Sequence, residues 1–161
     1  VCMPKEEGGL GIRCIADWNK ALAMKKIWDL IQRRNLVWTR WCEEVLLRGR
    51  NFWSVPITGN CSWTWRRILN LRNLIYPLLL YEVKDGSTFS LWFDPWLHGE
   101  SLVDSYGQWL MYDFEFPQSA RVDAVISEGE WTWPEHNWAF LDLKSRTEGM
   151  RPEWAVIVFT G

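Results

Sequence analysis

Apolar and charged residues recur at helical spacing between about residues 17 and 34. One face of a 3.6-residue wheel is apolar and consists of Met24, Ile27, Trp28, Leu30 and Ile31. The opposite face is polar and consists of Lys25, Lys26, Asp29, Gln32 and Arg33, with Leu22 as an apolar exception. Asp17 is a suitable N-cap, because a carboxylate accepts from the free amides of a first helical turn. The pattern predicts an amphipathic helix from about Asp17 to about Arg34.

The same spacing predicts two more helices. Between about Leu36 and Arg48 an apolar stripe is formed by Val37, Trp38, Trp41, Cys42, Val45 and Leu46. The short link around Asn35 favours a helical hairpin with the first helix. Ser62 is expected to cap a third helix that runs to about Ile75. Pro77 then ends or kinks it, because proline lacks a backbone N–H.

The pattern becomes that of strands in "YEVKDGSTFSLWF", where Asp85-Gly86 separates two β-prone runs. Asp-Gly in that position predicts a β-hairpin over residues 81–96. Residues 97–161 are acidic, Trp-rich and loop-rich, with a short helical turn expected in "SARVDAVI" and a closing strand in "WAVIVF". The fold class expected is therefore α+β, with a basic helical segment over residues 1–80.

Charge is divided unevenly along a chain whose formal net charge is −2. Residues 1–84 contain 14 Lys and Arg against 7 Asp and Glu, a balance of +7. Residues 85–161 contain 4 against 13, a balance of −9. Such a division indicates an anionic partner for the first half. Mutual pairing of the two halves across the fold is the alternative.

Candidate chemistry adds little to this picture. "PKEEGGLGIRC" lacks both the last glycine of a dinucleotide fingerprint and the Gly-Lys-Ser/Thr of a Walker loop, so it favours a tight turn at glycine. No paired aspartates occur, and His98 and His136 have no metal-ligand spacing. Cysteines are present without a C-x-x-C pair, which favours reduced thiols: Cys2, Cys14, Cys42 and Cys61. We therefore predict no catalytic residue, no metal and no cofactor.

Tryptophan is abundant, with fourteen residues spread from Trp18 to Trp154. In "LWFDPWLHG" Trp92, Asp94 and Trp96 alternate, which favours a strand that ends in an Asx-type turn with both indoles in the core. Exposed indoles would instead offer stacking platforms for bases or sugars. The longest apolar runs fall short of the ~20 residues of a membrane span, so no membrane partner is expected.

Several of these segments occur in a known order. "VCMPKEEGGLGIRCIADWNKALAMKKIW" resembles the segment after the polymerase core in plant LINE-type (non-LTR) retrotransposon reverse transcriptases. The family patterns are C-x-P-K-x-x-G-G-L-G-I-R and N-x-A-L-x-x-K-x-x-W, and the resemblance continues through "SWTWRRIL". The motif residues are Gly8, Gly9, Gly11, Asn19, Trp28, Asp85, Gly86, Trp92, Asp94 and Trp96. The similarity is closest up to Trp96.

The resemblance implies a non-catalytic connector. In that family the active-site aspartates lie upstream, and a Cys/His zinc module, often followed by RNase H, lies downstream. We expect a piece of a longer, intracellular RNA-directed DNA polymerase, in the cytoplasm or nucleus, that packs on the polymerase and guides template or product RNA or DNA. Lys and Arg interleave with Trp in the first half, and the nucleic-acid-binding residues expected are Lys20, Lys25, Lys26, Arg33, Arg34, Arg40, Arg66 and Arg67. A degenerate retroelement remnant and a Trp-rich carbohydrate-binding or hydrolytic domain remain the alternatives.

Overall fold

The structure, a computed structural model, describes residues 8, 14–81, 86–113, 116–134, 137–150 and 158–159. Helices and short antiparallel strands are mixed in it, so the predicted α+β class is confirmed. Of the glycine-rich opening, Gly8 lies in a turn with φ +80°, while Gly9 and Gly11 lie outside the described residues.

Helices dominate the first half. They are α1 (Ile15–Ile31), α2 (Val37–Trp41), which continues as a π-helical stretch (Cys42–Leu47), α3 (Trp63–Asn70), α4 (Arg72–Ile75) and a 3-10 turn (Tyr76–Leu78). All three predicted helices are present. Ser62 caps α3 as expected, because its Oγ accepts from the amide of Trp65 at 3.3 Å. Pro77 lies in the 3-10 turn that ends the helical run.

One helix start differs from the prediction. The N-cap of α1 is Cys14, with no side-chain cap bond, and Asp17 lies inside the first turn. A carboxylate in that turn still suits the positive end of the helix dipole. Asp17 therefore marks the start of the helix, although the N-cap itself lies three residues earlier.

Thr39 organises the link between α1 and α2. It is 1% exposed, and its hydroxyl accepts from the amide of Leu36 at 3.2 Å. The same hydroxyl lies within hydrogen-bond distance of the carbonyl oxygens of Arg34 and Leu36. One buried side chain therefore satisfies backbone groups on both sides of the turn, which fixes where α2 begins.

The predicted β-hairpin over residues 81–96 lies partly outside the described residues, so its pairing across Asp85-Gly86 stays a prediction. Asp85 lies outside the described residues, and β1 (Leu79–Leu80) pairs antiparallel with β4 (Val158–Phe159). Beyond the gap, Ser90 forms an isolated bridge with Arg121. The described residues on either side of Asp85 thus pair with distant segments. A two-residue turn signal could not reveal them, because it reports only local conformation.

The second half consists of short elements. They are α5 (Leu102–Tyr106), α6 (Trp109–Asp113), a 3-10 turn (Val122–Val125), β2 (Ile126–Ser127), β3 (Glu130–Trp131) and α7 (Trp138–Thr147). β2 pairs antiparallel with β3. The 3-10 turn and β4 occupy the places where a helical turn and a closing strand were expected.

The stretch around Trp92 and Trp96 forms the centre of the core. Both indoles are 0% exposed, so the interpretation that they fill the core is correct, although turns rather than a strand carry them. Their N–H groups donate to the carbonyls of Pro117 and Leu91, both at 2.9 Å. The Trp96 ring also stacks on that of Trp131, with centroids 5.5 Å apart. Hydrogen-bonded, stacked indoles thus hold together a half whose described strands are only two residues long.

Candidate nucleic-acid interface

The basic residues singled out in the sequence lie mostly at the surface. Exposed among them are Lys20, Lys25, Lys26, Arg33, Arg34, Arg40 and Arg66, whereas Arg67 is half-buried. This placement leaves their charges accessible. α1 buries its apolar face in the core, whereas the predicted apolar stripe of α2 is mostly open: Val37 and Trp41 are exposed and Trp38 is half-buried. The motif residue Asn19 is also exposed on α1, and Trp28 packs half-buried against the core.

Five of these cations are engaged locally. Lys25 and Arg34 both pair with Asp29, at 3.0 and 3.3 Å. The Lys26 ammonium lies 4.4 Å from the centroid of the Trp38 ring, a cation–π distance.

The other two engaged cations belong to α3. Arg66 donates to the carbonyl oxygens of Thr58 and Gly59, at 3.3 and 2.9 Å. The Arg67 guanidinium lies 5.4 Å from the centroid of the Trp63 ring. Within the described residues, the side chains of Lys20, Arg33 and Arg40 therefore remain without a hydrogen bond or an ion pair.

Ion pairs within the described residues do not connect the basic half to the acidic half. Lys25 and Arg34 neutralise Asp29 within the first half, and Arg146 pairs with Glu100 at 3.0 Å within the second. If the two halves neutralised each other, ion pairs would join them, and none does among the described residues. Uncompensated positive charge on the first half is what an anionic partner requires.

Three arginines converge on an open cleft of about 370 Å³, here called the arginine cleft. Its lining includes Arg33, Arg50, Asn51, Asp94, Gln118 and Arg121. Arg33 follows α1 and has φ +47°, a left-handed conformation uncommon outside glycine, Asn and Asp. Of these arginines only Arg33 was predicted from the sequence. Arg121 comes from the acidic half, so a count of charge by halves could not single it out.

Asp94 lies buried at the arginine cleft. Its carboxylate accepts from the amide of Ser90 at 2.6 Å and from Nδ2 of Asn51 at 3.3 Å. Burial raises the pKa of Asp94, while these two hydrogen bonds and the positive charge of Arg33 act in the opposite direction. The motif aspartate thus ties the loop after α2 to the Trp-rich segment, and its role here is structural.

A second open cleft, of about 700 Å³, adjoins the first and is here called the aromatic cleft. It includes Phe93, Met111 and Tyr112. The two clefts share the residues Gly49, Arg50, Asn51, Gln118 and Ser119. Together they make one groove with a cationic end and an apolar end. Sequence reasoning missed the apolar end, because nothing in the spacing places α6 near the loop after α2.

The other chemistry considered from the sequence finds little support. His98 lies against the carbonyl oxygen of Arg146, with Nε2 at 3.0 Å, and His136 lies outside the described residues. Across the described ranges, His, Cys, Asp and Glu form no group of three or more that could hold a metal ion. Cys14, Cys42 and Cys61 are free thiols, and burial raises the pKa of Cys42 to about 12. None of the helices searched in the described part is long and apolar enough to cross a membrane.

Two proteins of Arabidopsis thaliana are similar to this chain. One is named "putative ribonuclease H protein" and is 31% identical over 151 residues, which are 91% of this chain and 23% of that protein. The other, named "uncharacterized mitochondrial protein", is 31% identical over 107 residues, 63% of this chain and 66% of its own length. No family model matches the chain. No solved structure matches it either.

Proposed function

We propose that the chain is a non-catalytic connector of a retroelement reverse transcriptase and that its basic half contacts template or product nucleic acid. Similarity over 91% of the chain to a plant protein named for ribonuclease H supports a retroelement origin, and the chain spans only 23% of that protein. The motif order from the glycine-rich opening to Trp96 favours the place between polymerase and zinc module. The same proposal includes the activity of the longer parent protein, which would be RNA-directed DNA synthesis.

One observation carries the nucleic-acid contact. Within the described residues, the cations of the first half form ion pairs only with Asp29, so Lys20, Arg33 and Arg40 keep exposed, unpaired charges. Phosphate contacts need such cations and release counterions when they form. For a carbohydrate-binding function, Trp92 and Trp96 offer no stacking surface because both are fully buried, and the exposed indoles, such as Trp63 and Trp138, lie elsewhere in the chain.

Salt dependence of binding tests this proposal. With about four phosphate contacts, log–log plots of affinity against salt should have a slope near −3.6 for duplex DNA, at ~0.9 per phosphate. Neutralising two free cations, Lys20→Gln with Arg40→Gln, should weaken binding and make the slope less steep by about 1.8. Fluorescence anisotropy of the full chain with labelled DNA measures both quantities.

A matched control variant has the same net charge as Lys20→Gln with Arg40→Gln. Lys144→Glu also changes the net charge by −2, but Lys144 is exposed on α7 in the acidic half. This variant should bind as the unmodified chain does. Absence of binding to duplex, hybrid and single strands at low salt would contradict the proposal and favour a remnant without present function.

A further inference from the structure

The groove formed by the arginine cleft and the aromatic cleft has two chemically different ends. Three arginines line one end, together with the acidic residues Glu43 and Asp94. Asp94 is buried and already accepts two hydrogen bonds, so its oxygens are occupied. The arginine end therefore favours an anion that presents several acceptor oxygens.

The guanidinium groups keep donors available. Arg50 uses Nε on the carbonyl of Leu47 at 3.2 Å, and Arg121 uses Nη1 on the carbonyl of Ser87 at 2.5 Å. Each bond orients its guanidinium and leaves further N–H groups, since arginine carries five. Arg33 forms no side-chain hydrogen bond within the described residues. Such fixed, forked donors suit the oxygens of phosphate groups.

The aromatic end offers a surface for a flat, apolar group. Tyr112 is 85% exposed on α6, and Phe93 and Met111 are half-buried beside it. An exposed phenol ring next to a cationic cleft provides the combination of stacking surface and phosphate contacts used by single-strand-binding proteins. A duplex keeps its bases paired and stacked, so it presents no free base face to Tyr112.

We infer that this groove binds a single-stranded nucleic acid segment, with phosphates at Arg33, Arg50 and Arg121 and a base stacked on Tyr112. The inference rests on the proposed function and adds to it a strand type, a path and three residues outside the predicted set. It also assigns a contact to Arg121, in the half that carries the negative charge.

Anisotropy titrations with the full chain test the groove, using fluorescein-labelled U12 RNA and a 12-base-pair RNA duplex as probes. Tyr112→Ala should weaken U12 binding by about fivefold or more, the loss expected for one stacked base, and leave duplex binding unchanged. Tyr112→Phe should restore U12 binding, because the ring is retained. Arg50→Gln with Arg121→Gln should make the U12 salt slope less steep by about 1.4, at ~0.7 per phosphate of a single strand.

The outcomes separate the two proposals. Loss of binding in Lys20→Gln/Arg40→Gln with full binding in the groove variants would overturn the groove and leave the proposed function standing. Equal loss of U12 and duplex binding in Tyr112→Ala would also overturn it, because stacking on a free base cannot act on a duplex. Circular dichroism of each variant confirms that these exposed substitutions leave the fold intact.

Discussion

Gly86 has φ +73°, a positive φ of the kind that Asp-Gly turns require, and it also lies against a second chain segment. A Cβ at this position would lie 2.4 Å from the backbone N of Asp123 and 2.7 Å from the carbonyl carbon of Val122. Its carbonyl also accepts from the amide of Asp123 at 3.2 Å. The glycine is therefore required by two effects, conformation and close approach of a second chain segment.

A comparison of Gly86→Ala with the matched substitution Gly129→Ala separates these two effects. Gly129 has φ +79° with open space around a Cβ, so Gly129→Ala should cost about 1 kcal/mol in the free energy of unfolding, from backbone strain alone. Gly86→Ala should cost about 1–3 kcal/mol more, because the backbone of Asp123 must also move. Urea denaturation midpoints measure both. Equal losses in the two variants would mean that the close approach has no energetic weight.

Asp94 should make stability depend on pH. Burial raises its pKa above the ordinary value of 3.8, so between that value and the folded pKa the folded state holds a proton that the unfolded chain has lost. This carboxyl therefore contributes a free energy of unfolding that falls as pH rises through that interval and then levels off. Asp94→Asn should remove that part of the profile, as measured by urea denaturation from pH 3 to 8. If the pH profile of Asp94→Asn equals that of the unmodified chain, the pH dependence does not come from Asp94.

At the scale of elements, Thr39 tests how the helical turn is held. Thr39→Val keeps the shape but removes the hydroxyl that contacts the amide of Leu36 and the carbonyl of Arg34. These two groups still bond to each other at 2.7 Å, so we expect a loss of about 1–2 kcal/mol. Thr39→Ser keeps the hydroxyl and removes one methyl group, for a loss of about 1 kcal/mol. Thermal or urea unfolding compares them. A serine variant less stable than the valine variant would show that packing, not hydrogen bonding, dominates here.

The elements also show which structure a sequence pattern can predict. Helical spacing and Ser62 predicted three helices, because both signals act within a few residues. The hairpin at Asp85-Gly86 stays a prediction, because residues 82–85 lie outside the described part of the chain. On either side of it Leu79 pairs with Phe159 and Ser90 with Arg121, distant partners that a local pattern does not reveal. The groove escaped prediction for the same reason. Arg33, Arg121 and Tyr112 are brought together by the packing of distant segments, which a local pattern does not encode.

At the scale of the whole molecule, one cluster of buried residues runs from Ile27 to Leu143. The segment 86–97 connects its parts: the amide of Leu91 donates to Ala120 at 2.9 Å, and the carbonyl of Trp92 accepts from Val103 at 3.1 Å. The predicted division of the chain after Trp96 stays a prediction, and these contacts bear on whether residues 97–161 fold alone.

We expect that residues 97–161 expressed alone do not unfold cooperatively. The fragment lacks Trp92 and Trp96, which are 0% exposed in the chain, and Trp131 loses one of its two stacked rings, that of Trp96 at 5.5 Å. A domain of this size buries too little surface to tolerate such a loss. A fragment of residues 86–161 restores these contacts, so its tryptophan emission should lie at shorter wavelength than that of 97–161. A sigmoidal urea transition in the shorter fragment would contradict this account, because it would require a core that forms without the Trp92–Trp96 segment.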